Sequence, residues 1–139
     1  MWESKVYEIN PIGVVRSVLK ERGEAPAFGD EGAPDAWLEI NGDVADGLQG
    51  IETGDEIIVV TWLHLSRRDK LKVHPRGDTS RPLTGVFATR SPVRPNPIGL
   101  HRVTVLEIEG TKLRVAPLEA IDGTPVIDLK SSVGEQGEA

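Results

Sequence analysis

The sequence predicts an all-β protein, a small antiparallel β-barrel with long loops and few short helical turns. Short apolar segments rich in β-branched residues recur along the 139-residue chain, as is typical of strands. Turn sequences such as Asn41-Gly42, Glu109-Gly110 and Asp122-Gly123 stand between them. The sequence offers no segment suited to the crossover helices of a parallel βαβ architecture. A closed or nearly closed barrel fits these observations best.

The apolar segments predict seven strands, of which 100–108 and 113–116 are expected to pair because Glu109-Gly110 separates them at hairpin spacing. Brief helical turns are predicted at Val44–Leu48 and Ser66–Leu71. In chain order the strands are Ile12–Val18, Trp37–Ile40, Glu56–Thr61, Gly85–Thr89, Leu100–Ile108, Leu113–Ala116 and Val126–Leu129.

Two long loops are predicted at Lys20–Asp35 and Leu71–Leu83, and long loops in a small domain are either mobile or functional. The hydrophobic content of 38% suffices for one core in a chain of this length. We therefore expect one domain over residues 1–131, followed by a disordered tail at 132–139.

The charges of the chain are unevenly distributed, although the net charge is only −6. Residues 1–60 carry −9, residues 61–102 carry +7 and residues 103–139 carry −4, and all three histidines lie in the basic middle segment. Such a segment suits a phosphate, a carboxylate or part of an RNA backbone. The chain has no cysteine, which excludes disulfides and thiolate chemistry and suits a reducing compartment, so we expect a cytoplasmic protein. No apolar run approaches the roughly 18 residues that a membrane span requires, so no membrane partner is expected.

The densest concentration of chemistry-bearing residues is the run ATRSPVRPNPIG at 88–99. Proline lacks a backbone N–H and fixes its own φ, so this run is predicted to be a loop. Each proline also holds the residue before it in extended geometry, which preorganises Ser91, Arg94 and Asn96. The alternative is a stiff connector between two strands, with its arginines in solvent.

This run, together with Gly85-Val86-Phe87 before it and LEAIDGTPVIDLK at 118–130, resembles the paired signature of the TrmO (TsaA-like) family. PIGVVRS at 11–17 is similar to that family's first strand, so the resemblance spans residues 11–131. It implies a β-barrel methyltransferase, usually a homodimer, that uses S-adenosylmethionine without a metal and N-methylates threonylcarbamoyl-adenosine in tRNA. The sequence also lacks the G-x-G-x-x-G of the usual dinucleotide-binding fold.

Carried over residue by residue, the resemblance assigns cofactor binding to two motifs. The first motif comprises Phe87, Arg90, Ser91, Arg94, Asn96, Pro97, Ile98 and Gly99. The second motif comprises Asp122, Gly123, Thr124 and Pro125. Asp122-Gly123 is equally suited to a plain turn, because aspartate accepts local backbone hydrogen bonds and glycine adopts positive φ.

Candidate substrate-binding residues follow the strand Glu56–Thr61, where family members commonly carry aromatic and basic side chains; they are Trp62, Arg67 and Arg68. An amine that accepts a methyl group must lose a proton, and the candidates for catalytic roles are Asp122, His64 and Asn96. His64 and His74 lack a third ligand at convincing spacing, so no metal is expected.

Two other functions stay open at this stage. The same loop would serve a non-catalytic S-adenosylmethionine-binding module. A methyltransferase with a small-molecule or protein acceptor is also compatible with the sequence. Many tRNA-modifying family members carry a further carboxy-terminal domain, whereas this sequence ends a few residues after Lys130, and the loop at 20–35 is acidic rather than basic. A generic nucleic-acid-binding barrel is disfavoured, since six scattered aromatic residues supply a poor stacking platform.

Overall fold

The computed structural model describes residues 4–20 and 32–132. Within these residues, three short 3-10 helices occupy Gly42–Leu48, Pro75–Gly77 and Val86–Ala88. The eight strands in the described part of the chain are β1 (Gly13–Arg16), β2 (Ala36–Ile40), β3 (Glu56–Trp62), β4 (Lys72–Val73), β5 (Thr84–Gly85), β6 (Ile98–Glu109), β7 (Lys112–Ala116) and β8 (Pro125–Ser131). Within the described residues, no helix is long and apolar enough to span a membrane.

Six of these strands form a closed antiparallel barrel in the order β1-β2-β7-β6-β3-β8, which confirms the predicted fold class. The predicted hairpin between β6 and β7 is also confirmed, and its turn contains Gly110 at φ +64°. The barrel closes where Gly13 and Val14 of β1 pair with Val126 and Pro125 of β8. Closure leaves these strands without a free edge. Strands β4 and β5 form a separate two-stranded sheet.

The core fills the barrel, because successive side chains of a strand point alternately inward and outward. On β6 the buried residues are Gly99, His101, Val103 and Val105, while the residues between them are at least partly exposed. Leucines and valines from the other strands complete the core, and burying each contributes about 1.5–3 kcal/mol. The inward series of β6 therefore begins with two residues that are not aliphatic.

The strand predicted at Gly85–Thr89 is wrong beyond its first residue. Pairing with β4 ends at Gly85, and the chain turns into a 3-10 helix in which the N–H and hydroxyl of Thr89 both bond to the carbonyl of Val86, at 3.1 and 3.0 Å. The turn buries Val86 and leaves Phe87 79% exposed. The apolar run Val86-Phe87 thus belongs to two different environments.

The predicted loop at Leu71–Leu83 is not free of regular structure, because it contains the short strand β4 and the 3-10 helix Pro75–Gly77. Other predicted elements also differ from the structure. No helical turn forms at Ser66–Leu71; the turn lies earlier, where the N–H of Ser66 bonds to the carbonyl of Leu63 at 2.9 Å. The first strand ends at Arg16 because the N–H of Ser17 bonds to the Asp122 carboxylate instead of a neighbouring strand. Most of the predicted loop at 20–35 and all but Ser132 of the predicted tail lie outside the described residues.

Candidate functional site

A cleft of about 1420 Å³ lies where β3 ends and β6 begins. Its walls come from residues within four segments, 63–66, 74–84, 88–101 and 119–124. Small-molecule sites usually occupy roughly 300–1,000 Å³. The cleft therefore has room for a cofactor together with part of a second molecule.

Most of the first motif faces this cleft. The lining residues from the motif are Arg90, Ser91, Arg94, Asn96, Ile98 and Gly99, whereas Phe87 and Pro97 are not among them. The carbonyl of Pro97 accepts a hydrogen bond from the N–H of Leu63 at 2.7 Å, which joins the loop to the chain after β3. Pro97 thus fixes the loop, while its neighbours on either side line the cleft.

Arg94 holds the loop in shape from within. Its Nη1 donates hydrogen bonds to the carbonyls of Thr89 at 3.1 Å and Ser91 at 2.9 Å. The hydroxyl of Ser91 in turn accepts the N–H of Val93 at 3.1 Å. The conformation is therefore fixed by side chains as well as by proline, and an approach of Arg94 to a ligand carboxylate or phosphate stays a prediction.

The predicted substrate-binding residues brace the loop from outside the cleft. Arg68 donates from Nε to the carbonyl of Pro95 at 2.6 Å and from Nη2 to Oδ1 of Asn96 at 3.3 Å, and its guanidinium lies 5.1 Å from the ring centroid of Trp62. Because Oδ1 of Asn96 accepts from Arg68, its Nδ2 is left as the group that can donate to a ligand. Arg67 pairs with Asp69, and this hydrogen bond lowers the pKa of Asp69.

The second motif mainly builds the barrel. The N–H groups of Asp122 and Gly123 bond to the carbonyls of Leu19 and Val15, at 2.6 and 2.7 Å, and Gly123 has φ +86°. Thr124 lines the cleft, but its hydroxyl donates to the carbonyl of Ile121 at 2.7 Å. Gly123 and Pro125 are not among the lining residues.

The carboxylate of Asp122 is directed at β1 and the residues after it. It accepts the N–H of Ser17 at 3.0 Å and lies 3.3 Å from Nζ of Lys20 and 3.9 Å from Nη1 of Arg16. The backbone hydrogen bond from Ser17, followed by the interactions with Lys20 and Arg16, holds the pKa of Asp122 below its ordinary value. The structure does not bring Asp122 to the cleft, whereas His64 does line it.

Three cleft-side residues escaped the sequence analysis. Nδ1 of His101 donates to Oε1 of Glu119 at 2.5 Å, and Nε2 of the same ring lies 2.7 Å from the hydroxyl of Thr61. His101 and Glu119 line the cleft, and Thr61 is fully buried. The available signal was the alternation of β6, which places His101 between Gly99 and Val103 on the inward face.

The cleft is strongly basic, as the positive charge of residues 61–102 predicts. The described residues that line it include one carboxylate, that of Glu119, alongside six basic side chains outside the buried core. These are His64, His74, Arg76, Arg81, Arg90 and Arg94. Within residues 4–20 and 32–132, no three side chains of the metal-binding types come together.

Two proteins of archaea are similar to this chain over most of their length. An S-adenosyl-L-methionine-binding protein of Archaeoglobus fulgidus is 48% identical over 122 residues, covering 88% of this chain and 86% of its own. A probable S-adenosyl-L-methionine-binding protein of Methanothermobacter thermautotrophicus is 48% identical over the same length, covering 88% of this chain and 87% of its own.

Solved structures of TrmO and a protein-family model also match this chain. A crystal structure of TrmO superposes with a TM-score of 0.75 at 28% identity over 99% of this chain, and that of TrmO from Pseudomonas aeruginosa with 0.74 at 26% identity over 97%. This chain spans about 60% of the length of those two structures. Residues 14–136 match the model of the tRNA-methyltransferase O N-terminal domain. The chain therefore belongs to the TrmO family of methyltransferases.

Proposed function

We propose that this protein binds S-adenosylmethionine in the cleft and transfers its methyl group to the exocyclic nitrogen of threonylcarbamoyl-adenosine in tRNA. One observation carries the proposal: the preformed loop of the first motif and the basic residues of the middle segment converge on a single large cleft. The relatives named S-adenosyl-L-methionine-binding proteins support the choice of cofactor.

The residues of the cleft fit the chemical groups of this cofactor. The guanidinium groups of Arg90 and Arg94 suit its carboxylate, because arginine forms strong charge-assisted hydrogen bonds with such groups. Ile98, Leu100 and Ala120 offer apolar surface to the adenine ring. The donor Nδ2 of Asn96 suits a ring nitrogen or a carbonyl of either ligand. We assign cofactor binding to these residues.

Catalysis by this chain would consist mainly of positioning and exclusion of water. The bound cofactor supplies an electrophilic methyl group on a sulfonium. The acceptor nitrogen gives up a proton, and of the residues predicted for this task His64 lines the cleft while Asp122 is held by Ser17, Lys20 and Arg16. We therefore propose His64 as the proton acceptor and Asn96 as the residue that orients the amine.

The acceptor would approach over the segment 74–82. Arg76 and Arg81 belong to this segment and line the cleft, and arginines in such positions neutralise phosphates of an RNA backbone. A tRNA acceptor also implies that the protein works in the cytoplasm. Trp62, Arg67 and Arg68 lie behind the loop, so we propose that they support the substrate site through Asn96.

We further propose a homodimer. Three large apolar side chains are exposed within residues 71–87, which run from just before β4 to the start of the first motif: Leu71 at 65%, Leu83 at 57% and Phe87 at 79%. Exposed apolar residues concentrated beside a binding site are typical of protein–protein contact surfaces. Light scattering at micromolar concentration should give the mass of two chains, and a monomer in the presence of cofactor would contradict this assignment.

The experiment that tests the function uses tRNA from cells that lack this protein. The tRNA is incubated with S-adenosylmethionine and purified protein, digested to nucleosides and analysed by mass spectrometry. We expect threonylcarbamoyl-adenosine to gain one methyl group, and the Asn96→Ala variant to show much less product. Cofactor binding by calorimetry without any methylated nucleoside would leave the binding assignment standing and refute the tRNA acceptor.

A further inference from the structure

We infer that Glu119 binds the ammonium group of the cofactor's amino-acid end, and that His101 and Thr61 hold its carboxylate in place for this purpose. The inference rests on the proposed function, because it requires S-adenosylmethionine to occupy the cleft. Glu119 lies in the signature segment 118–130, but neither it nor His101 nor Thr61 is among the residues to which the family resemblance assigns a role.

Glu119 offers one carboxylate oxygen to the cleft. Its side chain is 17% exposed and lines the cleft, and Oε1 accepts a hydrogen bond from Nδ1 of His101. No hydrogen bond to Oε2 is seen from the described residues, and none of their buried side-chain oxygens lacks a partner. Oε2 therefore keeps contact with the solvent of the cleft and can accept a further hydrogen bond.

The partners of His101 fix the direction of this carboxylate. While Nδ1–H donates to Glu119, Nε2 on the other side of the ring is hydrogen-bonded to the hydroxyl of buried Thr61 over 2.7 Å. His101 is only 5% exposed, so the ring is confined by the barrel. The hydrogen bonds from Thr61 to His101 and from His101 to Glu119 thus hold the Glu119 carboxylate in a fixed orientation towards the cleft.

The charges around Glu119 indicate the kind of group it would bind. Its carboxylate is the one anion among the described lining residues, where arginines and histidines otherwise prevail. A ligand with positively charged groups needs an anionic partner in such a surrounding, because arginines repel it. Of the two positive groups of S-adenosylmethionine, only the ammonium has N–H donors, and charge-assisted hydrogen bonds to a carboxylate are strong and directional. The ammonium is therefore the match for Oε2.

The test measures cofactor binding by calorimetry on wild-type protein and on Glu119→Gln, which keeps the shape and an oxygen acceptor for His101. The ligands are S-adenosylmethionine, S-adenosylhomocysteine, which keeps the ammonium but lacks the sulfonium charge, and 5′-methylthioadenosine, which lacks the amino-acid end. The affinity of the variant for the first two should fall about ten-fold or more, and by similar factors. Its affinity for methylthioadenosine should stay unchanged. Glu107→Gln, whose carboxylate pairs with Arg114 on the barrel wall, is the control.

Several results would overturn the inference. Equal affinity of wild type and Glu119→Gln for S-adenosylmethionine would refute it while leaving the proposed function intact. A loss confined to S-adenosylmethionine would assign Glu119 to the sulfonium, and an equal loss for methylthioadenosine would assign it to the shape of the cleft. If the variant unfolds, N-acetylated S-adenosylhomocysteine on wild-type protein tests the same contact, and affinity equal to that of the free amine refutes it. Wild-type protein that binds no S-adenosylmethionine would refute the proposed function itself.

Discussion

The two motifs of the family signature differ in what their polar groups do. In the first motif, Asn96 keeps an amide donor available and Ser91 lies on the cleft wall. In the second motif, the carboxylate of Asp122 joins the chain after β1 to the turn before β8, and the hydroxyl of Thr124 bonds within that turn to the carbonyl of Ile121. Residues of one signature can therefore serve binding or architecture, and hydrogen-bond partners distinguish the two roles.

The largest effect on stability is expected for Gly99→Ala, at the residue where the loop of the first motif meets the barrel. An added Cβ would lie 2.5 Å from the hydroxyl oxygen of Thr61 and 2.8 Å from Nε2 of His101, so both partners would have to move inside a packed barrel. We expect a loss of about 1–3 kcal/mol in the free energy of unfolding, measured by urea denaturation. Gly85→Ala is the control, because its Cβ would meet nothing within 4 Å. Equal stability of both variants would contradict the close packing at Gly99.

Arg94→Ala should separate binding from stability. Arg94 lines the cleft, and loss of its proposed charge-assisted hydrogen bond to the cofactor should weaken binding by about 1.5–3 kcal/mol, or roughly ten-fold or more. Amide hydrogen exchange over 89–94 should also accelerate, because the carbonyls of Thr89 and Ser91 lose their donor. Arg102→Ala, which removes an exposed guanidinium paired with Glu56, is the control. Unchanged cofactor affinity in Arg94→Ala would show that Arg94 supports the loop and does not bind the cofactor.

Asp122→Ala should show the reverse pattern, with lower stability and unchanged cofactor affinity. We expect a loss of about 1–2 kcal/mol near pH 7, because the N–H of Ser17 loses a charged acceptor. The folded pKa of Asp122 lies below its unfolded value of about 3.9, so this stability is present above that pH and is lost as the pH falls through the folded pKa. The difference from wild type should therefore shrink in acid. Weaker cofactor binding with unchanged stability would contradict this account and support a role of Asp122 in cofactor binding.

Arg68→Ala should have the smallest effect. The variant loses the stacking on Trp62, which contributes about 0.5–1 kcal/mol at an exposed position, together with hydrogen bonds to Pro95 and Asn96. We expect stability to change by no more than about 1 kcal/mol and methylation to slow because Asn96 is less well oriented. Arg68→Lys should not restore the rate, since a lysine cannot reproduce the forked contact. Full activity of Arg68→Ala would show that Arg68 is not needed to orient Asn96.

The fold was largely predictable from the sequence, since alternating apolar residues and turn signals carry strand information locally. The strand prediction at Gly85–Thr89 was wrong because the two apolar residues lie in different environments, with Val86 buried and Phe87 exposed, and do not form one strand. Of the residues that line the cleft, the sequence predicted most of the first motif together with His64 and Thr124. Thr61 and His101 meet through the pairing of β3 with β6, across 40 positions of sequence, and Glu119 reaches His101 from the segment after β7, across 18 positions. Such proximity follows from strand register, which local patterns do not provide.

The most direct test of the account is a crystal structure of this protein with S-adenosylhomocysteine. We expect the ligand to lie in the cleft between the loop at 89–99 and residues 119–121, with Asn96 and Glu119 within hydrogen-bond distance of it and Asp122 still bound to the N–H of Ser17. A ligand seated on the Asp122-Gly123 turn, with the loop at 89–99 untouched, would contradict the assignment of binding to the first motif and architecture to the second.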